Sequence, residues 1–254
     1  LHKEYRRQRQ MCIRDSTKEQ THQIKIKAQM LSKTMTICQL TRNDASMLYH
    51  TVYRPSIEYT LAQSCIPQTQ MRTLQGVLSP IISKCGFNKC TSRNIIYGPS
   101  KLGGGGFIPL EASAGTGYSA HFLKHWRTPH EDVGKLLRII TSWSQFYAGV
   151  SYSLLQYPQY HVPHLAGKFL PSLRQYLKTI NGSIIITPNF VQTKLRQGDQ
   201  AIMDKALESN FTDAEIKKIN YVRLYLQVTH LSEICNISGT RIMATTATSV
   251  TVYE

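Results

Sequence analysis

Thr128-Pro129-His130-Glu131-Asp132-Val133-Gly134-Lys135-Leu136-Leu137-Arg138-Ile139-Ile140, running on to Ala148-Gly149, is the stretch whose reading decides the fold class. Thr128 and Glu131 have capping-box spacing, and Pro129 sits where a missing N–H costs a helix nothing. Behind them Val133, Leu136, Leu137, Ile140, Ser144 and Tyr147 recur at helical spacing and end near Gly149. That pattern predicts an amphipathic helix with these residues on its core-facing side.

Working outward, helical patterns dominate. Residues 17–35 read as helix, and Asn43 is the expected N-cap of the next one. Arg54-Pro55 interrupts the pattern, because the residue before proline avoids helical geometry. From Pro67, Met71, Leu74, Leu78, Ile81, Ile82 and Cys85 share a face, with Pro80 expected to kink or end the helix. Residues 91–97 read as a short helix closed by Gly98, and residues 118–126 as another. A helix through Leu173, Leu177 and Ile180 is expected to stop at Asn181-Gly182.

Residues 184–187 (Ile-Ile-Ile-Thr) read as a short strand. Thr212 and Glu215 form a second capping box, with Phe211 and Ile216 placed for a hydrophobic staple. The continuation Val222-Arg223-Leu224-Tyr225-Leu226-Gln227-Val228 alternates like a strand, but the strong cap favours helix. Residues 245–253 are β-prone. The expected class is mainly α, a helical thumb- or connection-like bundle with a few short strands toward the C-terminus.

Four segments follow. Residues 1–16 are a non-native or disordered basic arm, since 6–16 resemble a peptide produced when sequencing-adapter sequence is translated in frame. Residues 17–97 form a helical subdomain. Glycine-rich 98–117 is a connection, and 118–254 a second helical subdomain with short strands.

Charge narrows the function classes. Thirty Lys and Arg against fifteen Asp and Glu give the 254 residues a net charge of +15. Without residues 1–16, which hold five basic and two acidic residues, +12 remains. Such a balance favours polyanionic partners, nucleic acid foremost. No apolar run approaches the ~18–20 residues of a membrane span, so no membrane partner is expected. Six scattered cysteines fit reduced thiols of an intracellular protein, the nucleus included.

Two-metal phosphoryl or nucleotidyl transfer needs clustered carboxylates to hold the ions near the transferring phosphate. Asp15, Asp44, Asp132, Asp199, Asp204 and Asp213 are all isolated from one another, and Glu131-Asp132 is accounted for by helix capping. The chain is therefore expected to be no enzyme by itself, with no catalytic residue, metal site or cofactor of its own. Cys85, Cys90, His121 and His125 are zinc-competent types, but the glycine-rich stretch interrupts them. Gly115-Thr116-Gly117-Tyr118-Ser119-Ala120 matches a dinucleotide fingerprint without a strand before it. The spacing of Gly98 and Gly103 matches a phosphate loop but lacks its Lys-Ser/Thr.

Two basic-aromatic segments suit a polyanion better. Lys124, Trp126 and Arg127 close one helix, and Lys217, Lys218 and Arg223 lie with Tyr221 and Tyr225 on another. Cations can contact phosphates while aromatic rings stack on unpaired bases.

Tyr53-Arg54-Pro55-Ser56-Ile57-Glu58-Tyr59, Leu74-Gln75, Lys84-Cys85-Gly86-Phe87-Asn88 and Leu102-Gly103-Gly104-Gly105-Gly106-Phe107 resemble the region after the polymerase palm in reverse transcriptases of LINE-like (non-LTR) retroelements. Phe122-Leu123-Lys124-His125-Trp126-Arg127 and Arg223-Leu224-Tyr225-Leu226-Gln227 resemble, more narrowly, retroelement reading frames of diatoms and related algae. The similarity spans about residues 25–240. It implies a helical thumb and post-thumb region that positions an RNA or DNA template–primer. It also implies an upstream palm, absent from this sequence, holding the catalytic aspartates and their divalent metal. The alternative is a self-contained helical interaction module with no nucleic-acid role.

Overall fold

The computed structural model describes residues 13–38, 40–76, 87–88, 90–194, 196–236 and 242. The chain is mainly helical and divides into two compact units, Leu1–His121 and Phe122–Glu254. The division falls inside a helix rather than at residues 98–117.

In the first unit, α1 (Ile13–Ile37) buries Ile24, Ala28 and Leu31, one stripe at steps of four and three. It begins at Ile13, within the segment expected to be a separate arm. Next comes α2 (Arg42–Leu48), whose N-cap is Thr41 rather than Asn43. The Thr41 side chain accepts from the Asp44 N–H, and the Asp44 carboxylate accepts from the Thr41 N–H. Asn43 falls at the second helical position, where no backbone donor points back at it.

Arg54-Pro55 does not break the helix. A π-helical turn, Tyr49–Tyr53, leads straight into α3 (Arg54–Ser64), and the Arg54 N–H donates to the Tyr49 carbonyl five residues back. Proline lacks a donor and its ring crowds the carbonyl four residues earlier, so a widened turn before it relieves both problems. Pro55 then lies in the first turn of α3, where its missing N–H is harmless. Ile57, Leu61 and Ser64 face inward, and α1 packs against α3, the π turn and α4 (Gln68–Gly76). Met71 and Leu74 are buried as expected, while Leu78, Pro80, Ile81, Ile82 and Cys85 lie outside the described residues.

Helix α5 (Arg93–Ile96), capped by Ser92, is followed by a 3-10 turn, Ser100–Leu102. The glycine run then folds back along α5 instead of acting as a loose connection. Gly105 N–H donates to the Ile95 carbonyl at 2.8 Å, and Gly106 N–H to that of Gly98 at 2.8 Å. Gly103 and Gly106 take left-handed φ of 81° and 73°. A Cβ on Gly104 or Gly105 would stand 2.3 Å from a main-chain carbonyl oxygen. Left-handed geometry and backbone contact thus each require glycine here. The π turn holds the far side of the run: Tyr49 Oη donates to the Ile108 carbonyl at 2.7 Å, and His50 Nε2 lies 3.1 Å from that of Gly106.

Helix α6 (Leu110–Arg127) starts eight residues earlier than residues 118–126 predict. It absorbs Gly115 and Gly117, so the dinucleotide-like stretch is helix interior and not a strand-to-helix turn. Gly117 lies against Ala62 of α3.

In the second unit, α7 (Asp132–Ala148) starts at Asp132 with Glu131 at the N-cap, three residues later than the sequence pattern predicts. Thr128 and Glu131 form a turn instead: Glu131 N–H donates to the Thr128 carbonyl, and the Thr128 hydroxyl to the Glu131 carboxylate. The helix ends at Gly149 in the left-handed conformation, as expected. Helices α8 (Phe169–Thr179), α9 (Ile202–Glu208) and α10 (Asp213–Leu226) follow. α10 packs on α9 and α7 around a core that includes Ala148, Val150, Leu154, Met203, Ala206 and Ile216. The Thr212–Glu215 capping box forms and Val222 to Leu226 are helical, while Phe211 stays half-exposed. Hydrogen bonds from Thr212 hold the Glu215 carboxyl below the usual range.

Residues 184–187 form no strand. Ile184 and Ile186 point inward and Ile185 outward, and the Ile184 N–H donates to the Leu155 carbonyl at 2.9 Å. Alternating burial thus arises here without a ladder partner. Among the described residues, β pairing is limited to the isolated bridges Ala201 with His230 and Cys235 with Ile242. Residues 245–253 lie outside the described residues.

Candidate nucleic-acid interface

Between α7 and α8 the chain runs from 149 to 168 without a helix, and buried polar side chains hold it in place. Gln145 donates from Nε2 to the Tyr152 carbonyl at 2.8 Å and accepts from Leu154 N–H at 3.1 Å. Arg174 donates to the carbonyls of Leu154 and Tyr160, each at 2.7 Å. His164 donates from Nε2 to the Ala148 carbonyl at 2.8 Å, while its Nδ1 is buried without a hydrogen-bond partner. Burial pulls the His164 pKa below its ordinary value. These groups satisfy main-chain atoms that a long buried loop would otherwise leave unpaired.

Arg223 belongs to the same set. It is 2% exposed, with Nε donating to Asn220 and Nη2 to the carbonyls of Phe146 and Tyr147. It therefore caps α7 and is not available to a phosphate, which corrects its placement among the binding residues. The alternation around it gave no sign of this, since the acceptors are carbonyls about 76 residues away in sequence.

The other α10 residues form a solvated surface. Lys217 and Lys218 are exposed, and so are Tyr221 at 72% and Tyr225 at 56%. At steps of three and four residues these side chains share one face of the helix. The arrangement offers two ammonium groups beside two ring faces.

At the end of α6, Lys124 and Arg127 are exposed, in the last turn where cations also complement the helix dipole. Trp126 is half-buried and its ring is already engaged. Phe122 stacks on it at 5.4 Å, Phe190 meets it edge-on at 6.1 Å, and the Arg138 guanidinium lies 4.4 Å over it. Trp126 is thus a packing residue more than a platform for a base.

The expected inward stripe of α7 holds only in part: Leu137 and Ser144 are buried, but Val133, Leu136 and Ile140 are not. Gly134, Leu137, Thr141, Ser144, Gln145 and Ala148 are buried, whereas Val133, Leu136, Ile139, Ile140, Trp143 and Phe146 are exposed. The small and polar side is the one that fits closely against the unit.

Cys85 lies outside the described residues, and among the described residues no three His, Cys, Asp or Glu side chains are grouped to hold a metal ion. No helix there is long and apolar enough to cross a membrane. No protein-family model, curated protein or solved structure matches this chain.

Proposed function

We propose that this chain is a thumb and post-thumb portion of a LINE-like retroelement reverse transcriptase that positions template–primer nucleic acid. The observation that carries the reading is the α10 surface, where Lys217 and Lys218 stand beside the solvated rings of Tyr221 and Tyr225. Lys124 and Arg127 add cations, and the excess of +15 draws polyanions toward the chain as a whole. In this reading catalysis and its divalent metal belong to a palm outside this sequence, and the order of the motifs in residues 25–240 supports that parentage.

The test is a fluorescence-anisotropy titration of an RNA–DNA primer–template at two salt concentrations. Four contacting cations give a log–log salt slope of about −3, from roughly −0.7 to −0.9 per phosphate. Binding no tighter than that of a neutral control protein, or unaffected by salt, overturns the reading. A second reading, a helical interaction module without nucleic-acid role, draws on the outward apolar face of α7.

A further inference from the structure

Six large apolar side chains of α7, Val133, Leu136, Ile139, Ile140, Trp143 and Phe146, are between 38% and 65% exposed. Val133, Leu136, Ile140, Trp143 and Tyr147 follow one another at three, four, three and four residues, the spacing of a coiled-coil seam. Ile139, Trp143 and Phe146 also line a shallow groove of about 700 Å³, whose remaining wall includes Arg138, Pro188 and Phe190.

We propose that this face docks an amphipathic helix of a protein partner, with apolar residues at the same spacing and acidic residues on its flanks. Three features select that occupant. The seam spacing is the one that a second helix can match over its whole length.

The area comes second. Taking roughly 150–250 Å² per large side chain, the exposed part amounts to on the order of 500 Å². A stable self-pairing surface needs about 800 Å² on each partner. One helix laid in a groove is matched to the smaller figure.

Third is charge. Arg138 stands at the groove, where it donates to the Trp126 carbonyl at 2.9 Å and lies over that residue's ring, and its charge has no carboxylate within 4 Å among the described residues. A net charge of +15 repels a second copy and attracts an acidic helix. The inference uses α7 and its groove, not the α10 surface, and it stands or falls apart from nucleic-acid binding.

The experiment titrates the full chain against three labelled three-heptad peptides. One has Leu and Ile on the seam with Glu flanks, one has the same seam with Lys flanks, and one has the Glu-rich composition scrambled. The acidic amphipathic peptide is expected to bind about tenfold or more tightly than either of the others. Its binding should shift Trp143 emission to the blue. Ile139→Asp, at an exposed position, is expected to weaken binding about tenfold while leaving the circular dichroism spectrum and melting temperature unchanged.

Equal affinity for the acidic and basic peptides overturns the proposal, as does binding that Ile139→Asp leaves intact. Sedimentation of the chain alone supplies the last arm. A monomer supports a separate partner, and a dimer abolished by Ile139→Asp shows that a second copy occupies the face instead.

Discussion

Arg223 Nη2, on α10, donates to the main-chain carbonyl of Tyr147, the penultimate residue of α7, at 2.8 Å. The same nitrogen reaches the Phe146 carbonyl at 3.0 Å, so a single guanidinium closes the C-terminal end of α7. Arg223→Met is therefore expected to cost about 2–4 kcal/mol of stability in urea unfolding, because the part-buried helix-end carbonyls lose their donor. Nucleic-acid affinity per folded molecule should stay unchanged. A loss of affinity without a loss of stability would return Arg223 to the binding surface.

The solvated side of α10 behaves oppositely. Lys217→Gln with Lys218→Gln is expected to leave the melting temperature unchanged and to shallow the salt slope by about 1.5. Tyr221→Ala and Tyr225→Ala should each weaken single-stranded binding by about 1–3 kcal/mol if a base stacks there. Anisotropy titrations with single-stranded and duplex probes read both effects.

Gly105 tests the glycine run. A methyl group there meets the Ile96 carbonyl oxygen at 2.3 Å and the Phe87 ring at 3.0 Å. Gly105→Ala is expected to destabilise by about 1–3 kcal/mol, the range for overpacking. A freely moving connection would tolerate the same change, so the melting temperature separates the two descriptions.

His164 gives a pH dependence with a definite sign. Its folded pKa lies below the model-peptide value near 6.5, so the unfolded chain binds a proton that the folded one refuses. The stabilisation is fully present above the unfolded pKa and is lost as pH falls through the folded one. Melting temperature should decline from about pH 7 toward pH 5, well above the acid range where the depressed carboxyls of Asp199, Glu215 and Glu233 titrate. In His164→Gln, whose amide can still donate to Ala148, that decline should flatten. An unchanged profile would place the proton uptake elsewhere.

Local chemistry made most helices legible. The Thr212–Glu215 capping box, the Gly149 terminus and the Asn181-Gly182 stop all act within a turn of the residues they govern, and each appears where the sequence puts it. What stayed hidden depends on distant partners. Pro55 reads as a break because sequence spacing cannot show a π turn opening ahead of it.

The orientation of α7 was hidden for a related reason. Periodicity reveals that one side is apolar but not how far the buried side is rotated from it, and Gly134, Thr141 and Ala148 took the inward positions expected of Val133, Leu136 and Ile140. The proposed surface was half visible: Lys217, Lys218, Tyr221 and Tyr225 are solvated, while Arg223 and Trp126 are spent on packing.

The mounting of α7 bears on how the protein behaves in a tube. A Cβ on Gly134 would stand 2.1 Å from the Thr128 carbonyl oxygen, so the helix is pressed too close to its turn to roll Trp143 out of water. At a net charge of +15, copies of the chain repel one another. That repulsion reaches about 10 Å at 0.1 M salt and only about 3 Å at 1 M. Concentrated salt should thus cloud a solution that dilute buffer keeps clear, and an acidic helix seated on α7 should remove the sensitivity.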